Sequence, residues 1–193
     1  YAAMPVMEGK CVLFKEFGNV NAVPICLDTQ DTEEIITTIK NLAPAFGGIN
    51  LEDISAPRCF EIEERLKAML DIPVFHDDQH GTAIVVLAGI INGLRLTGKK
   101  KEDCKVVVNG AGSAGIAITK LLLTYGFKHV TMCDREGIIS KDYPSLNWMQ
   151  QKMTEVTNLE NQTGTLADAL RGADIFVGVS APNIVTAEMV ASM

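Results

Sequence analysis

The sequence predicts an α/β fold of two βαβ-type halves, the second a doubly wound parallel sheet. Three observations carry this expectation. Short apolar runs of strand length alternate with helix-period patterns from end to end. A glycine-rich turn, Gly110 to Gly115, lies between one such run and a helix. Acidic residues close several of the runs, at Asp28, Glu52-Asp53, Asp77-Asp78 and Asp134, and open α/β sheets hold their ligands at those carboxyl ends.

The elements follow in order. Val23 to Leu27 is a short apolar run ending in Asp28. Asp31 starts a helix, with Glu34 as its capping-box partner and Ile35, Ile39 and Leu42 at helical spacing. Gly47-Gly48 breaks it, and Ile49 to Leu51 reads as a strand. Ser55 and Pro57 signal the next helix, with Cys59, Ile62, Leu66 and Met69 as its buried stripe and Glu63 with Lys67 as an exposed pair. Pro73 to Phe75 is a strand. Thr82 to Leu96 is apolar on nearly all sides, which suits a helix buried between layers. Val106 to Val108 reads as a central strand, Ser113 to Tyr125 as a helix and His129 to Cys133 as a strand. Gly137 to Gly164 is the least regular stretch, expected as a helix with loops. Leu166 to Leu170 is a short helix, Ile175 to Val179 a strand, and Thr186 to Met193 a helix. A boundary near residue 80 would separate a substrate and metal domain (1–80) from a dinucleotide-binding domain (81–193).

Composition bounds the function. With 47% hydrophobic and 21% charged residues, 193 residues can bury a core and are too apolar to be disordered. Lys and Arg number 17 against 24 Asp and Glu, a net charge of −7. This argues against a nucleic-acid binder, which needs a basic footprint on the phosphates, and disfavours an anionic membrane surface. Thr82 to Ile91, the longest nearly apolar stretch, is about half of the roughly 20 residues that span a bilayer. The opening residues are not basic-then-apolar, so no leader is expected. The five cysteines are odd in number and none shares C-x-x-C spacing, so neither a disulfide framework nor a structural zinc site is expected. Cys11, Cys26 and Cys133 lie in apolar runs, and the expected compartment is reducing and cytoplasmic.

The run Val106-Val107-Val108-Asn109-Gly110-Ala111-Gly112-Ser113-Ala114-Gly115 is G-x-G-x-x-G between a strand and a helix. That context is Rossmann-like. Gly110 allows the tight turn, Gly112 lets backbone approach a pyrophosphate, and Gly115 lets helix and strand pack closely. Ala111, Ser113 and Ala114 complete the loop, whose free N–H groups face the phosphates. Asp134 lies 19 residues beyond Gly115. Its carboxylate suits a ribose diol and favours NAD, whereas Arg135 next to it could bind the 2′-phosphate of NADP. Gly178-Val179-Ser180-Ala181-Pro182 is a second small-residue turn, and Ser180 is a candidate for the nicotinamide side.

Glu52, Asp53 and Asp78 offer oxygen donors only. Converging at one edge they repel unless a cation neutralises them, and hard oxygen donors suit Mg²⁺ or Mn²⁺. His76 and His80 flank the second pair, where packing is the plainer role. Lys10 opens an apolar helix with Val12, Leu13, Phe14 and Phe17. A nearby dication would lower its pKa and make it a base.

Five motifs in order resemble malic enzyme, in particular the compact prokaryotic-type form. They are Met7-Glu8-Gly9-Lys10, Asn50-Leu51-Glu52-Asp53-Ile54, Phe75-His76-Asp77-Asp78-Gln79-His80-Gly81-Thr82-Ala83, Asn109 to Gly115 and Gly178 to Pro182. The resemblance implies oxidative decarboxylation of (S)-malate to pyruvate and CO₂ with NAD or NADP and Mg²⁺ or Mn²⁺. It implies that Glu52, Asp53 and Asp78 bind the metal, that Lys10 is the general base, that Asp77 holds Lys10, and that the protein is dimeric or larger. Family members also carry a catalytic Tyr and an Arg upstream and substrate-holding Asn residues downstream. Tyr1 does not match that Tyr by context, and the chain opens without an initiator Met, so a middle portion of the enzyme is expected. The competing readings are a metal-free NAD(P) oxidoreductase on the same fold and a non-catalytic NAD-binding module.

Overall fold

The computed structural model describes residues 2–193; Tyr1 lies outside the described residues. The chain forms two compact units, 1–76 and 77–193.

In the first unit, α1 (Met4–Gly18) and α2 (Thr32–Leu42) are followed by a 3₁₀ turn, then β1 (Ile49–Leu51), α3 (Arg58–Met69) and β2 (Val74–His76). β1 and β2 pair in parallel, with Asn50 opposite Phe75, so β1-α3-β2 is a βαβ unit. Asp31 caps α2 by accepting the Glu34 N–H, while the Glu34 side chain turns to the Thr29 hydroxyl instead of closing a capping box. Ile35, Ile36 and Ile39 of α2 pack on Ile62 and Leu66 of α3, both fully buried, and on Leu51 and Val74. Burying each such side chain contributes about 1.5–3 kcal/mol. Three expectations are corrected here. Val23 to Leu27 pairs with no strand and runs as exposed coil, leaving Cys26 exposed. Met69 is exposed, because it sits at the last position of α3. Glu63 is buried, not exposed, and Lys67 reaches it at 2.7 Å.

The second unit begins with α4 (Asp77–Thr97). Then come β3 (Lys105–Asn109), α5 (Ser113–Tyr125), β4 (His129–Asp134), β5 (Gly137–Ile138), α6 (Trp148–Thr154), α7 (Leu166–Leu170), β6 (Ile175–Gly178) and α8 (Ala187–Ala191). The strand order is β5-β4-β3-β6. β3 pairs in parallel with β4 and β6, and β5 adds an antiparallel edge. This is a Rossmann-like sheet with both faces covered. Val106 and Val108 point to the side packed by α4 and α5, with Ile118 and Leu122. Val107 points to the other side, with Leu166 and Leu170 of α7 and Met189 of α8 packed there.

α4 differs from expectation in two ways. Its polar first turn joins the apolar run, so the helix has 21 residues. By length and composition alone it could cross a membrane. It is also not buried on all sides: Val86, Leu87, Ile90 and Leu94 pack on the sheet core, whereas Ile84 and Val85 are exposed. All five cysteines are free, and Cys133, buried in β4, has its thiol pushed up to about 12 by burial.

Candidate functional site

In the first unit, Lys10 lies midway along α1, not at its start. Its Nζ is 3.3 Å from Glu52 Oε2. Asn50 Nδ2 donates to the same oxygen at 3.4 Å. The Glu52 side chain is almost fully buried, at 6% exposure, so its charge is held by the ammonium and the amide. Asn50 Oδ1 is buried and has no hydrogen-bond partner among the described residues. Asp53 follows β1 with φ 55°, a left-handed geometry that Asp tolerates better than most residues. The structure thus joins the candidate base to one candidate metal ligand, although 42 positions of sequence separate them.

His76 ends β2, fully buried, with neither ring nitrogen hydrogen-bonded to a described residue. Asp77 and Asp78 occupy the first turn of α4, where the helix dipole favours negative charge. A Cβ at Gly81 would collide with Asp77 Oδ1. Gly81 therefore makes room for the Asp77 carboxylate one turn away, a role that spacing alone did not reveal. Among the described residues of each unit, no three His, Cys, Asp or Glu side chains gather closely enough to hold a metal ion. The donor chemistry still fits a hard cation: carboxylate oxygens, with the orphaned Asn50 Oδ1 beside Glu52.

In the second unit the strand register pairs Asn109 with Cys133. Gly110, just past the end of β3, therefore lies beside Asp134, the last residue of β4. The Gly110 N–H extends the ladder to the Cys133 carbonyl at 2.9 Å. Gly110 has φ +125°, and a Cβ there would sit 2.8 Å from the Val179 carbonyl oxygen. A Cβ at Gly115 would collide with the Gly110 carbonyl. Gly112 is different. Its φ is −89° and a Cβ would meet nothing within 4 Å. The fold itself does not need this glycine. The N-terminus of α5 also lacks a side-chain cap, whereas Asp31, Asn147, Thr165 and Thr186 cap α2, α6, α7 and α8. Open N–H donors at Ser113, Ala114 and Gly115, beside unused space at Gly112, fit a pyrophosphate.

Asp134 Oδ1 accepts the Glu136 N–H at 3.0 Å and the Tyr143 hydroxyl. Arg135 is exposed. Ser180 Oγ accepts from Asn109 Nδ2 at 2.9 Å, which ties the second small-residue turn to the first. Gln150 Nε2 donates to the Ala111 carbonyl at 3.3 Å. Sequence reasoning missed Tyr143 and Gln150, for which no spacing rule exists.

Comparison with known proteins covers both units. The profile of the malic enzyme N-terminal domain matches residues 1–67, and that of the malic enzyme NAD-binding domain matches residues 79–193. The chain is 61% identical over its full length to an NAD-dependent malic enzyme of Geobacillus stearothermophilus, spanning 40% of it. It is 48% identical to an NADP-dependent malic enzyme of Rhizobium meliloti, spanning 25% of that protein. The crystal structure of an NAD-dependent malic enzyme from Thermotoga maritima superposes with a TM-score of 0.97 at 52% identity, covering all of this chain and 52% of that one.

Proposed function

The chain belongs to the malic enzyme family, and on that footing we propose that it carries the base, metal-binding and dinucleotide-binding residues of an enzyme converting (S)-malate to pyruvate and CO₂ with reduction of NAD⁺ or NADP⁺. The observation that carries the reading is the pair of domain matches, in order, across nearly the whole chain.

The residues divide the work as follows. Glu52, Asp53 and Asp78 would hold Mg²⁺ or Mn²⁺. The loop from Gly110 through Ala111, Gly112, Ser113 and Ala114 to Gly115 would bind the pyrophosphate, Asp134 the adenosine ribose, and Ser180 the nicotinamide side. When bound, the cation supplies Lewis acidity toward the 2-hydroxyl and the dinucleotide accepts the hydride. Lys10 takes the C2 hydroxyl proton as hydride leaves C2. Its contact with Glu52 at 3.3 Å places the amine beside a candidate metal ligand, and the family resemblance would give Asp77 a part in holding it. The 2-keto acid then loses CO₂, and the enolate is protonated at C3 to give pyruvate.

The same reading makes residues 1–80 the substrate and metal domain and 81–193 the dinucleotide domain. It makes the protein cytoplasmic, dimeric or larger, and free of nucleic-acid and membrane partners. The net charge of −7 supports the absence of nucleic acid.

The test is an NAD(P)H absorbance assay with malate and Mn²⁺ on the full-length protein and on Lys10→Ala. Malate-dependent reduction should vanish in the variant while NAD binding persists. Near-normal turnover would remove Lys10 from the mechanism. NAD binding by the unmodified protein without any malate-dependent NADH would favour a non-catalytic module.

A further inference from the structure

The segment from the end of β5 into α6 reaches both halves of the candidate dinucleotide site. At one end the Tyr143 hydroxyl donates to Asp134 Oδ1. At the other, Gln150 donates to the Ala111 carbonyl within the glycine-rich loop. Gln150 is itself fixed, because its Oε1 accepts the Asn147 N–H at 3.0 Å in the capping box of α6. Tyr143 is anchored by a turn, with its N–H on the Ser140 carbonyl at 3.2 Å.

Both donors to Asp134, the Tyr143 hydroxyl and the Glu136 N–H, fall on one oxygen, Oδ1. That arrangement stops the carboxylate from rotating and leaves Oδ2 to accept from a ligand. Burial and the neighbouring carboxylate push the Tyr143 phenol above its ordinary range, so it keeps its proton at neutral pH.

We propose that Tyr143 is a positioning residue for the adenosine ribose: by fixing Asp134 through Oδ1, it makes the site select a 2′-hydroxyl over a 2′-phosphate. A diol finds a preset acceptor. A 2′-phosphate meets a carboxylate that cannot swing away, beside a phenol whose only proton is already committed. The proposal rests on the dinucleotide reading of this domain and names the residue that sets its selectivity.

The test is calorimetric binding of ADP-ribose and of 2′-phospho-ADP-ribose to the full-length protein, to Tyr143→Phe, and to Asp134→Ala with and without Tyr143→Phe. Loss of a hydrogen bond to a charged group should weaken ADP-ribose binding about tenfold in Tyr143→Phe. The 2′-phosphorylated ligand should bind no more weakly than before, and kcat at saturating NAD should not change. In the Asp134→Ala background, Tyr143→Phe should have no further effect. Equal weakening of both ligands would mean a merely structural role and overturn the proposal. Unchanged ADP-ribose affinity in a variant with native circular dichroism would overturn it as well. If the unmodified protein binds neither ligand, the dinucleotide reading falls together with it.

Discussion

Gly110, Gly112 and Gly115 look alike in the sequence and differ in the structure. Gly110 needs its positive φ and its closeness to Val179. Gly115 needs its closeness to Gly110. Gly112 needs neither, and a Cβ there would meet only open space. Alanine substitution should therefore separate folding from binding. Gly112→Ala should leave the melting temperature within error, while the added methyl displaces the pyrophosphate and weakens NAD about tenfold or more. Gly115→Ala should cost about 1–3 kcal/mol of stability or more, because the clash is with backbone that cannot step aside. Thermal melts and NAD titrations on the two variants check this. A Gly112→Ala protein that binds NAD normally would remove the phosphate role from this loop position.

At the scale of elements, Asp174 shows how one side chain fixes the start of a strand. It accepts from the Lys105 N–H at 2.9 Å, where β3 begins, and forms an ion pair with Lys99. The Lys99 ammonium first, and the Lys105 N–H second, hold its carboxyl below the ordinary value; Asp174 in turn raises Lys99. The signs follow from linkage. The depressed carboxyl contributes stability that is present above its unfolded pKa and lost as pH falls through the folded one. The raised ammonium contributes stability that is present below its unfolded pKa and lost as pH rises through the folded one. Asp174→Asn should cost about 1 kcal/mol at neutral pH, the modest size expected because Lys99 is half exposed and screened. That difference should shrink as pH drops below about 4. Melting curves across acid pH test it, and a pH-independent difference would assign the loss to something other than charge. Elements whose signals are local were legible in the sequence. α5 runs from Ser113 to Tyr125 and α7 from Leu166 to Leu170, as read from the sequence. Elements that depend on distant partners were not. β5 exists only because Ile138 finds Cys133, and Val23 to Leu27 stays coil because no strand pairs with it. The site divides in the same way. The glycine loop and Asp134 announce themselves by spacing, whereas the contact of Lys10 with Glu52 and that of Tyr143 with Asp134 depend on how the chain folds back.

At the scale of the whole molecule, each unit has a core of its own. The cluster around Ile62 and Leu66 draws only on residues before position 77, and the clusters on the two faces of the β3–β6 sheet draw only on residues after it. Each unit thus has its own hydrophobic reason to stay folded, and local opening should respect the division. Leu66 of α3 is fully buried, packed with residues of α2 and the two short strands. Leu66→Ala should cost about 2–5 kcal/mol by leaving a cavity that the neighbouring isoleucines cannot fill. Leu122 holds the corresponding place under the larger sheet. Hydrogen exchange followed by mass spectrometry should then show faster exchange in α2, β1, α3 and β2 for Leu66→Ala, with β3, β4 and β6 still protected. Leu122→Ala should give the opposite pattern. Exchange accelerated evenly through both units in either variant would show that they open as one cooperative body, and that burial within each unit does not decide where the protein yields first.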